Sequence, residues 1–243
     1  MHELLERTIK EASSYFQNFL LHEYTKRSAL HEVDARVKLI ATIVFVVLAV
    51  STFTLEKVLM VFIFLIVISA VVGLNLRRIA ERIWLFTLFS FIVVLPISLS
   101  NPIYLITFTL RVAASLVAIQ MLIMTTSFAE ICSALRSFKV PAIFVSALWL
   151  AYRYAVLMFR ELLSILLARE SRRVSKGSHM EVWRKGGEAV GLFFLRSFEK
   201  AEKVQLAMEA RGEAIVHYRG KLKMLDFVYA VIVGFTAFWW VII

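Results

Sequence analysis

The sequence predicts an all-α, polytopic membrane protein with a helical cytoplasmic region, and its composition supports this fold class in three ways. Of the 243 residues, 60% are hydrophobic and only 19% are charged, and the mean hydropathy is +0.77. Soluble domains average about 45–50% apolar and about 25% charged residues. The 20 Phe and 5 Trp residues exclude a disordered chain, and the single cysteine excludes a disulfide scaffold.

Five apolar segments are long enough to cross a bilayer, which takes about 17–25 residues. Trp239 and Trp240 lie near the end of the last segment, as is typical of residues at a membrane interface. We therefore expect four spans in residues 1–126, a separate region in residues 127–225, and one span in residues 226–243. The five segments are Leu39–Leu55, Val58–Leu76, Ile83–Leu99, Ile103–Thr126 and Phe227–Ile243.

The basic residues indicate how these spans are oriented. All of the 28 Lys and Arg residues except Lys57 and Arg111 lie in residues 1–38, 77–82 and 127–225. Because Lys and Arg accumulate in cytoplasmic segments, we expect these three segments, and the N-terminus, to lie in the cytoplasm of a cell-membrane protein. The charged first segment lacks the apolar stretch of a cleavable signal peptide.

Residues 127–225 carry 17 basic and 9 acidic side chains and are expected to contain two long helices. The first, Ala142–Ala168, begins as an apolar segment and then carries Arg153, Arg160 and Glu161 on one helical face. It predicts either a sixth span or a long helix that leaves the membrane, and we favour the second interpretation.

The second predicted helix, Ala189–Arg211, changes from apolar to amphipathic along its length. Its apolar residues recur every three to four positions, which is the spacing of one helical face. Gly212 follows at the expected helix end, where glycine commonly adopts the left-handed conformation. A basic linker, Ser171–Gly187, is expected to join the two helices.

The sequence contains no recognisable catalytic or metal-binding pattern. Its only aspartates, Asp34 and Asp226, lie at predicted membrane borders, and its five histidines show no metal-ligand spacing. It contains no phosphate-binding glycine loop and no nucleophile elbow, and Cys132 has no neighbouring histidine. We therefore expect no catalytic residue, no cofactor and no metal ligand in this chain.

Arg111 is unusual because it lies inside the fourth predicted span, where an arginine is costly. Three explanations are open. The side chain reaches the membrane interface, it makes a polar contact with another subunit, or it lines a substrate path. Arg153 is a second candidate for a polar contact between subunits.

Three segments resemble the transmembrane coupling protein (T component) of energy-coupling factor transporters, the EcfT/CbiQ family, and within it the CbiQ-like cobalt branch. The third segment is the most specific, because it ends an amphipathic helix with Ala210-Arg211-Gly212, which is similar to the family's second coupling motif. The first segment departs from the family in having Ala35 where a proline is usual. The segments are 28–39, 135–161 and 195–212.

The family's first coupling motif, of Arg-Gly type at the end of the preceding helix, is less clear in this sequence. Lys176-Gly177 is one version of it, with lysine in place of arginine, and Arg169, Arg172 and Arg173 are the other candidates. Lysine does not reproduce the two-pronged hydrogen bonding of a guanidinium group.

The resemblance implies the coupling subunit of an ATP-driven importer of the ABC type. In this branch of the family it implies cobalt or nickel as the cargo. In such transporters two CbiO/EcfA-like ATPase subunits hydrolyse ATP, and a CbiM/CbiN-like membrane S component captures the substrate. The coupling protein is not itself an enzyme. Its two arginine-ended helices would dock on the two ATPases.

Two other interpretations are weaker. One is a shared T component that serves several vitamin-binding S components. The other is an integral membrane enzyme acting on lipid or prenyl substrates, which normally needs carboxylates to hold Mg²⁺. A nucleic-acid partner is not expected, because topology and a docking surface account for the positive charge.

Overall fold

The computed structural model describes Leu30 and residues 33–96, 102–171, 179–212 and 224–242. These residues contain long helices and no strand, which confirms the all-α prediction. In chain order the helices are α1 (Ala35–Ser51), α2 (Leu55–Val71), α3 (Leu76–Val94), α4 (Pro102–Thr125), α5 (Phe128–Ser137), α6 (Ala142–Ser171), α7 (His179–Arg211) and α8 (Met224–Ile242).

The described helices fall into two compact units. The bundle unit contains α1 to α5 together with α8, and the hairpin unit contains α6 and α7. In the bundle, α4 packs against α1, α2 and α3, while α1 also packs against α2, α5 and α8. These two helices therefore connect all the others in the bundle.

Small side chains line the contacts of α1 and α4 inside the bundle. Ala49 and Ala114 are completely buried, and Ala41 and Ala118 are nearly so. Small residues let helix backbones approach closely, which is how helices commonly associate in membranes. Phe45 fills the larger space beside them and is also buried.

Three described helices are long and apolar enough to cross a membrane: α4, residues Ala142–Arg169 of α6, and α8. The first and last correspond to two predicted spans. Helix α6 is thus long and apolar enough to be a sixth span. Only 6% of its most apolar stretch of 18 residues is buried. Whether α6 crosses or leaves the membrane stays a prediction.

Most of each of the three other predicted spans is helical, and residues 97–99 of the third lie outside the described residues. Helices α1 and α2 each have 17 residues, at the short end of spanning length. Helix α3 begins at Leu76, so that the basic segment 77–82 forms its first turns instead of a loop.

Helices α1 and α4 run antiparallel, and each places a buried cation on the C-terminal end of the other. Lys38 Nζ donates a hydrogen bond of 2.9 Å to the carbonyl oxygen of Thr125, the last residue of α4. In return, Arg111 Nε on α4 donates a 3.3 Å hydrogen bond to the carbonyl of Ala49, and Arg111 Nη2 donates to that of Val50. We call these contacts the reciprocal clasp.

The clasp satisfies groups that a helix cannot satisfy itself. The last carbonyls of a helix have no partner within the helix and lie at the negative end of its dipole. The Arg111 side chain is only 8% exposed, and its guanidinium lies 4.2 Å from the centre of the Phe53 ring. Its polar atoms are therefore satisfied largely by the end of α1, and the predicted intersubunit contact of Arg111 stays a prediction.

The only two aspartates of the chain meet at the other end of α1. Asp34 is the N-cap of α1, and its Oδ1 accepts a 3.0 Å hydrogen bond from the Arg36 backbone N–H. The Asp34 backbone N–H in turn donates a 2.6 Å hydrogen bond to Oδ1 of Asp226, in the first turn of α8. This contact joins residues 192 positions apart.

Helix α5 is a short element that the sequence did not predict separately. It begins with a capping box, in which the Ser127 side chain accepts from the Glu130 N–H and the Glu130 side chain accepts from the Ser127 N–H. Cys132 is completely buried on this helix. Burial raises the pKa of the Cys132 thiol, which fits a space-filling residue.

The expected linker Ser171–Gly187 is partly wrong, because α7 begins at His179 and residues 179–187 are helical. Glycines within a helix cost about 1 kcal/mol each relative to alanine. Two ion pairs flank these glycines: Lys185 with Glu181 one turn earlier, and Arg169 of α6 with Glu188, both at 2.7 Å.

The reciprocal clasp predicts that Arg111→Met lowers the free energy of unfolding by about 1–3 kcal/mol, because it leaves buried carbonyls of α1 unpaired. Unfolding in lipid–detergent micelles, followed by circular dichroism, measures this change. Arg82→Met, on an exposed arginine of α3, is the matched control. Equal stability of the two variants would contradict the clasp.

Candidate docking surface

Helices α6 and α7 form an antiparallel pair that is held by two ion pairs. Arg169 Nη2 lies 2.7 Å from Glu188 Oε2, and Arg196 Nη1 lies 2.6 Å from Glu161 Oε1. As the residue number falls on α6 it rises on α7, so the C-terminal end of α7 lies beside the first turns of α6. Partly exposed pairs such as these contribute about 0–1 kcal/mol each, so they set the alignment more than the stability.

A groove of about 650 Å³ lies along this pair near the C-terminal end of α7. Its wall is mainly basic, with only Glu161 and Glu199 opposing the positive charge, and Glu161 is already paired with Arg196. The groove therefore attracts a negatively charged partner surface. The basic residues of the wall are Arg153, Arg196, Lys200, Lys203 and Arg211.

The floor of the groove is apolar. Leu150, Tyr154 and Met158 contribute from α6 at intervals of four residues, and Val204 and Met208 contribute from α7. The same five side chains also line a second cavity of about 740 Å³ on this seam. An apolar floor with charged walls is the arrangement by which a groove receives a helix or loop of another protein.

The predicted second coupling motif lies at the end of this groove. Helix α7 ends at Arg211, and Gly212 follows with a φ of 81°, which confirms the prediction of a left-handed glycine at the helix end. Ala210 and Arg211 are exposed, and Arg211 and Gly212 both line the groove. Because the chain turns at Gly212, Arg211 is presented at the tip of the helix.

The candidates for the first motif lie towards the other end of the hairpin. Arg169 is described and is paired with Glu188, whereas Arg172, Arg173, Lys176 and Gly177 lie outside the described residues. At about 1.5 Å per residue, the stretch of α7 from Glu188 to Arg211 is about 35 Å long. Arg169, which is paired with Glu188, and Arg211 are thus far apart along the hairpin.

Arg153 is exposed and lines the groove, close to the residues of the second motif. Its contact with another subunit stays a prediction. Sequence reasoning missed Tyr154, Lys200 and Lys203. The four-residue spacing of Leu150, Tyr154 and Met158 puts them on one face of α6, and this was the signal in the sequence. That this face lines a groove became evident only from the antiparallel packing of α6 and α7.

The described residues contain no cluster of three or more His, Cys, Asp or Glu side chains that could hold a metal ion. The described hairpin offers a basic, partly apolar groove with an arginine in its lining.

Comparison with known proteins identifies relatives of the whole chain and of parts of it. "Uncharacterized protein MJ1571" of Methanocaldococcus jannaschii is 28% identical over 93% of this chain and 87% of its own length. "Uncharacterized protein MJ1089" of the same organism is 29% identical over 42% of this chain and 36% of its own length. "Nickel permease LarQ" of Lactiplantibacillus plantarum is 30% identical over 47% of this chain and 41% of its own length.

A family match covers most of the chain. Residues 26–224 match the family described as "CbiQ: Cobalt transport protein". The matched residues include all of α1 to α7 and therefore both the reciprocal clasp and the groove. The chain is a membrane protein that belongs to the CbiQ cobalt transport protein family.

Proposed function

We propose that this chain is the transmembrane coupling subunit of an ATP-driven importer of the energy-coupling factor type. In this role it contains no active site. Two ATPase subunits of the ABC type bind its hairpin, and a separate membrane S component binds the cargo. Closure of the ATPases on ATP moves the hairpin, and the hairpin moves the S component.

The observation that carries the proposal is the presentation of Arg211 at the end of α7. The side chain is exposed and lines a basic groove, and Gly212, which follows it, has the left-handed conformation that ends the helix. An arginine in this position can form two parallel hydrogen bonds to a carboxylate or to the carbonyls of a partner helix. The apolar groove floor would bury part of the same partner.

The length of the hairpin supports a second docking point. Of the first-motif candidates, Arg169 pairs with Glu188, and Glu188 lies about 35 Å along α7 from Arg211 of the second motif. One ATPase subunit would therefore bind at each end of the hairpin. A motion that changes the distance between the ATPases would act on both ends.

The proposed cargo is cobalt or nickel. The family is described as cobalt transport proteins and one partial relative as a nickel permease. Because the described residues offer no metal-ligand cluster, the ion would bind to the S component. We also propose a cytoplasmic N-terminus and cytoplasmic basic segments in the cell membrane, because Lys and Arg accumulate on that side.

Arg211→Glu is expected to reduce ATP-driven uptake of Co²⁺ or Ni²⁺ by more than about tenfold, because it reverses the charge at the docking point. Uptake into proteoliposomes containing the whole complex measures the effect. Arg160→Glu, on an exposed arginine of α6 outside the groove lining, serves as the control. Normal uptake by Arg211→Glu would contradict the proposal.

Gly212 offers a second test, because its φ of 81° is unfavourable for most side chains although nothing lies within 4 Å of an added Cβ. Gly212→Val costs about 1–2 kcal/mol of backbone strain and should shift Arg211 and weaken ATPase binding. Gly212→Asn should bind normally, since asparagine tolerates this conformation. Pull-down of the ATPase subunits measures both, and equal binding would contradict the role of the turn.

The partners themselves give a third test. Affinity purification of the tagged chain from its native membrane should recover two P-loop ATPases and one metal-binding membrane protein. Recovery of several vitamin-binding membrane proteins would instead identify a shared T component. Recovery of the chain without any ATPase would contradict the proposal as a whole.

A further inference from the structure

The first half of α7 carries apolar side chains that are largely exposed in the hairpin unit. Trp183 is 79% exposed, Phe194 and Phe198 are each 68% exposed, and Val190 is exposed as well. At 3.6 residues per helical turn, these four side chains fall within an arc of about 80° on one side of the helix. We call Trp183, Val190, Phe194 and Phe198 the apolar stripe.

Two glycines lie on the same side of α7, among the side chains of the stripe. Nothing lies within 4 Å of a Cβ added at Gly187 or at Gly191, so the described part of the hairpin leaves this side open. A contiguous exposed apolar surface marks contact with another protein or with a membrane.

The stripe ends about three and a half turns before the C-terminal end of α7. After Phe198 the same side of the helix carries Ala201, Gln205 and Glu209, and the Gln205 side chain donates a 3.0 Å hydrogen bond to Glu209. The surface that contacts the stripe therefore does not need to extend to Arg211 at the tip of the helix.

An excess of positive charge accompanies the start of the stripe. Residues 169–185 contain six Lys and Arg residues and only two Glu residues. The two acidic side chains on the first half of α7 are both in ion pairs, Glu181 with Lys185 and Glu188 with Arg169. The charge beside the stripe thus complements an anionic surface, such as that of a membrane with acidic lipids.

The stripe and the basic groove lie on different sides of α7. Arg196 and Lys203, which line the groove, are about 160–180° away from Phe194 around the helix axis. When the stripe rests on a surface, these two groove residues therefore face away from that surface. Occupation of the stripe leaves the basic wall of the groove accessible.

A membrane surface matches the stripe in composition and in availability. Trp and Phe on one side of a helix with Lys and Arg nearby are typical of helices that lie in the membrane interface. Trp183 is the kind of residue enriched at that depth. Because the chain is a membrane protein, a bilayer is present wherever the chain is, whereas a protein partner has to be recruited.

We propose that the first half of α7, from Trp183 to Phe198, lies in the surface of the bilayer, with the apolar stripe inserted among anionic lipids. The inserted side chains hold α7 along the membrane, and the basic wall of the groove faces the aqueous phase. This inference goes beyond the proposed function, because it assigns a lipid contact to the hairpin and does not involve the ATPases.

The test measures how strongly lipids quench a fluorophore placed on the stripe. The full-length chain is reconstituted in vesicles of phosphatidylcholine and phosphatidylglycerol that contain lipids with a nitroxide group near the head group. Cys132, which is completely buried, is changed to Ala, and Phe194→Cys or Phe198→Cys carries a nitrobenzoxadiazole label. Lipid quenching of either label should exceed that at Leu192→Cys by about threefold or more, because only the stripe is inserted.

Leu192 is a matched control position. It is an exposed apolar residue only two positions from Phe194, yet it lies about 160° away around the helix. Iodide in the aqueous phase should quench the three labels in the reverse order. In vesicles of phosphatidylcholine alone, lipid quenching of Phe194→Cys should fall by about twofold or more, since the anionic lipids are missing.

Equal lipid quenching at Phe194→Cys, Phe198→Cys and Leu192→Cys would overturn the lipid contact, and so would equal access of iodide to all three labels. The measurement is repeated with the complete complex in the same vesicles. Labels on the stripe that are protected there from both quenchers would identify another protein as the occupant and would also overturn the proposal. Recovery of the ATPases with the tagged chain tests the proposed function separately.

Discussion

The bundle depends on buried cations that complete the ends of neighbouring helices. Lys38 on α1 holds the last carbonyl of α4, and Arg111 on α4 holds the last carbonyls of α1. In a membrane, a helix end without a partner is costly, since no water is available in the hydrocarbon region to replace it. The reciprocal clasp removes this cost for the two helices that connect the rest of the bundle, and it fixes their register along each other.

The polar contacts between the two hairpin helices are exposed, unlike the reciprocal clasp of the bundle, which is buried. Exposed ion pairs align α6 with α7, and the exposed seam forms a basic groove with an apolar floor. Membership of the CbiQ cobalt transport family is compatible with the proposed role, in which buried polar contacts hold the bundle together and the exposed groove of the hairpin binds another protein.

The sequence was sufficient to predict features that depend on local composition. Apolar runs predicted the helices of the bundle, and the glycine after Arg211 predicted the left-handed turn that ends α7. Contacts between distant residues could not be predicted. Lys38 and Thr125 are 87 positions apart and Asp34 and Asp226 are 192 apart, so nothing local distinguishes them from ordinary membrane-border residues. The start of α7 was misplaced because Gly186 and Gly187 suggested a break, whereas the helix continues through them beside the Arg169–Glu188 ion pair.

In the proposed role the end of α7 contacts an ATPase, and site-specific cross-linking detects such a contact. A photoreactive amino acid placed at Ala210, beside Arg211, would be activated in native membranes and its products identified by mass spectrometry. We expect a cross-link to a P-loop ATPase, lost when Arg211 is also changed to Glu. Cross-links only to lipid or to other membrane proteins, with the ATPase present, would contradict the account.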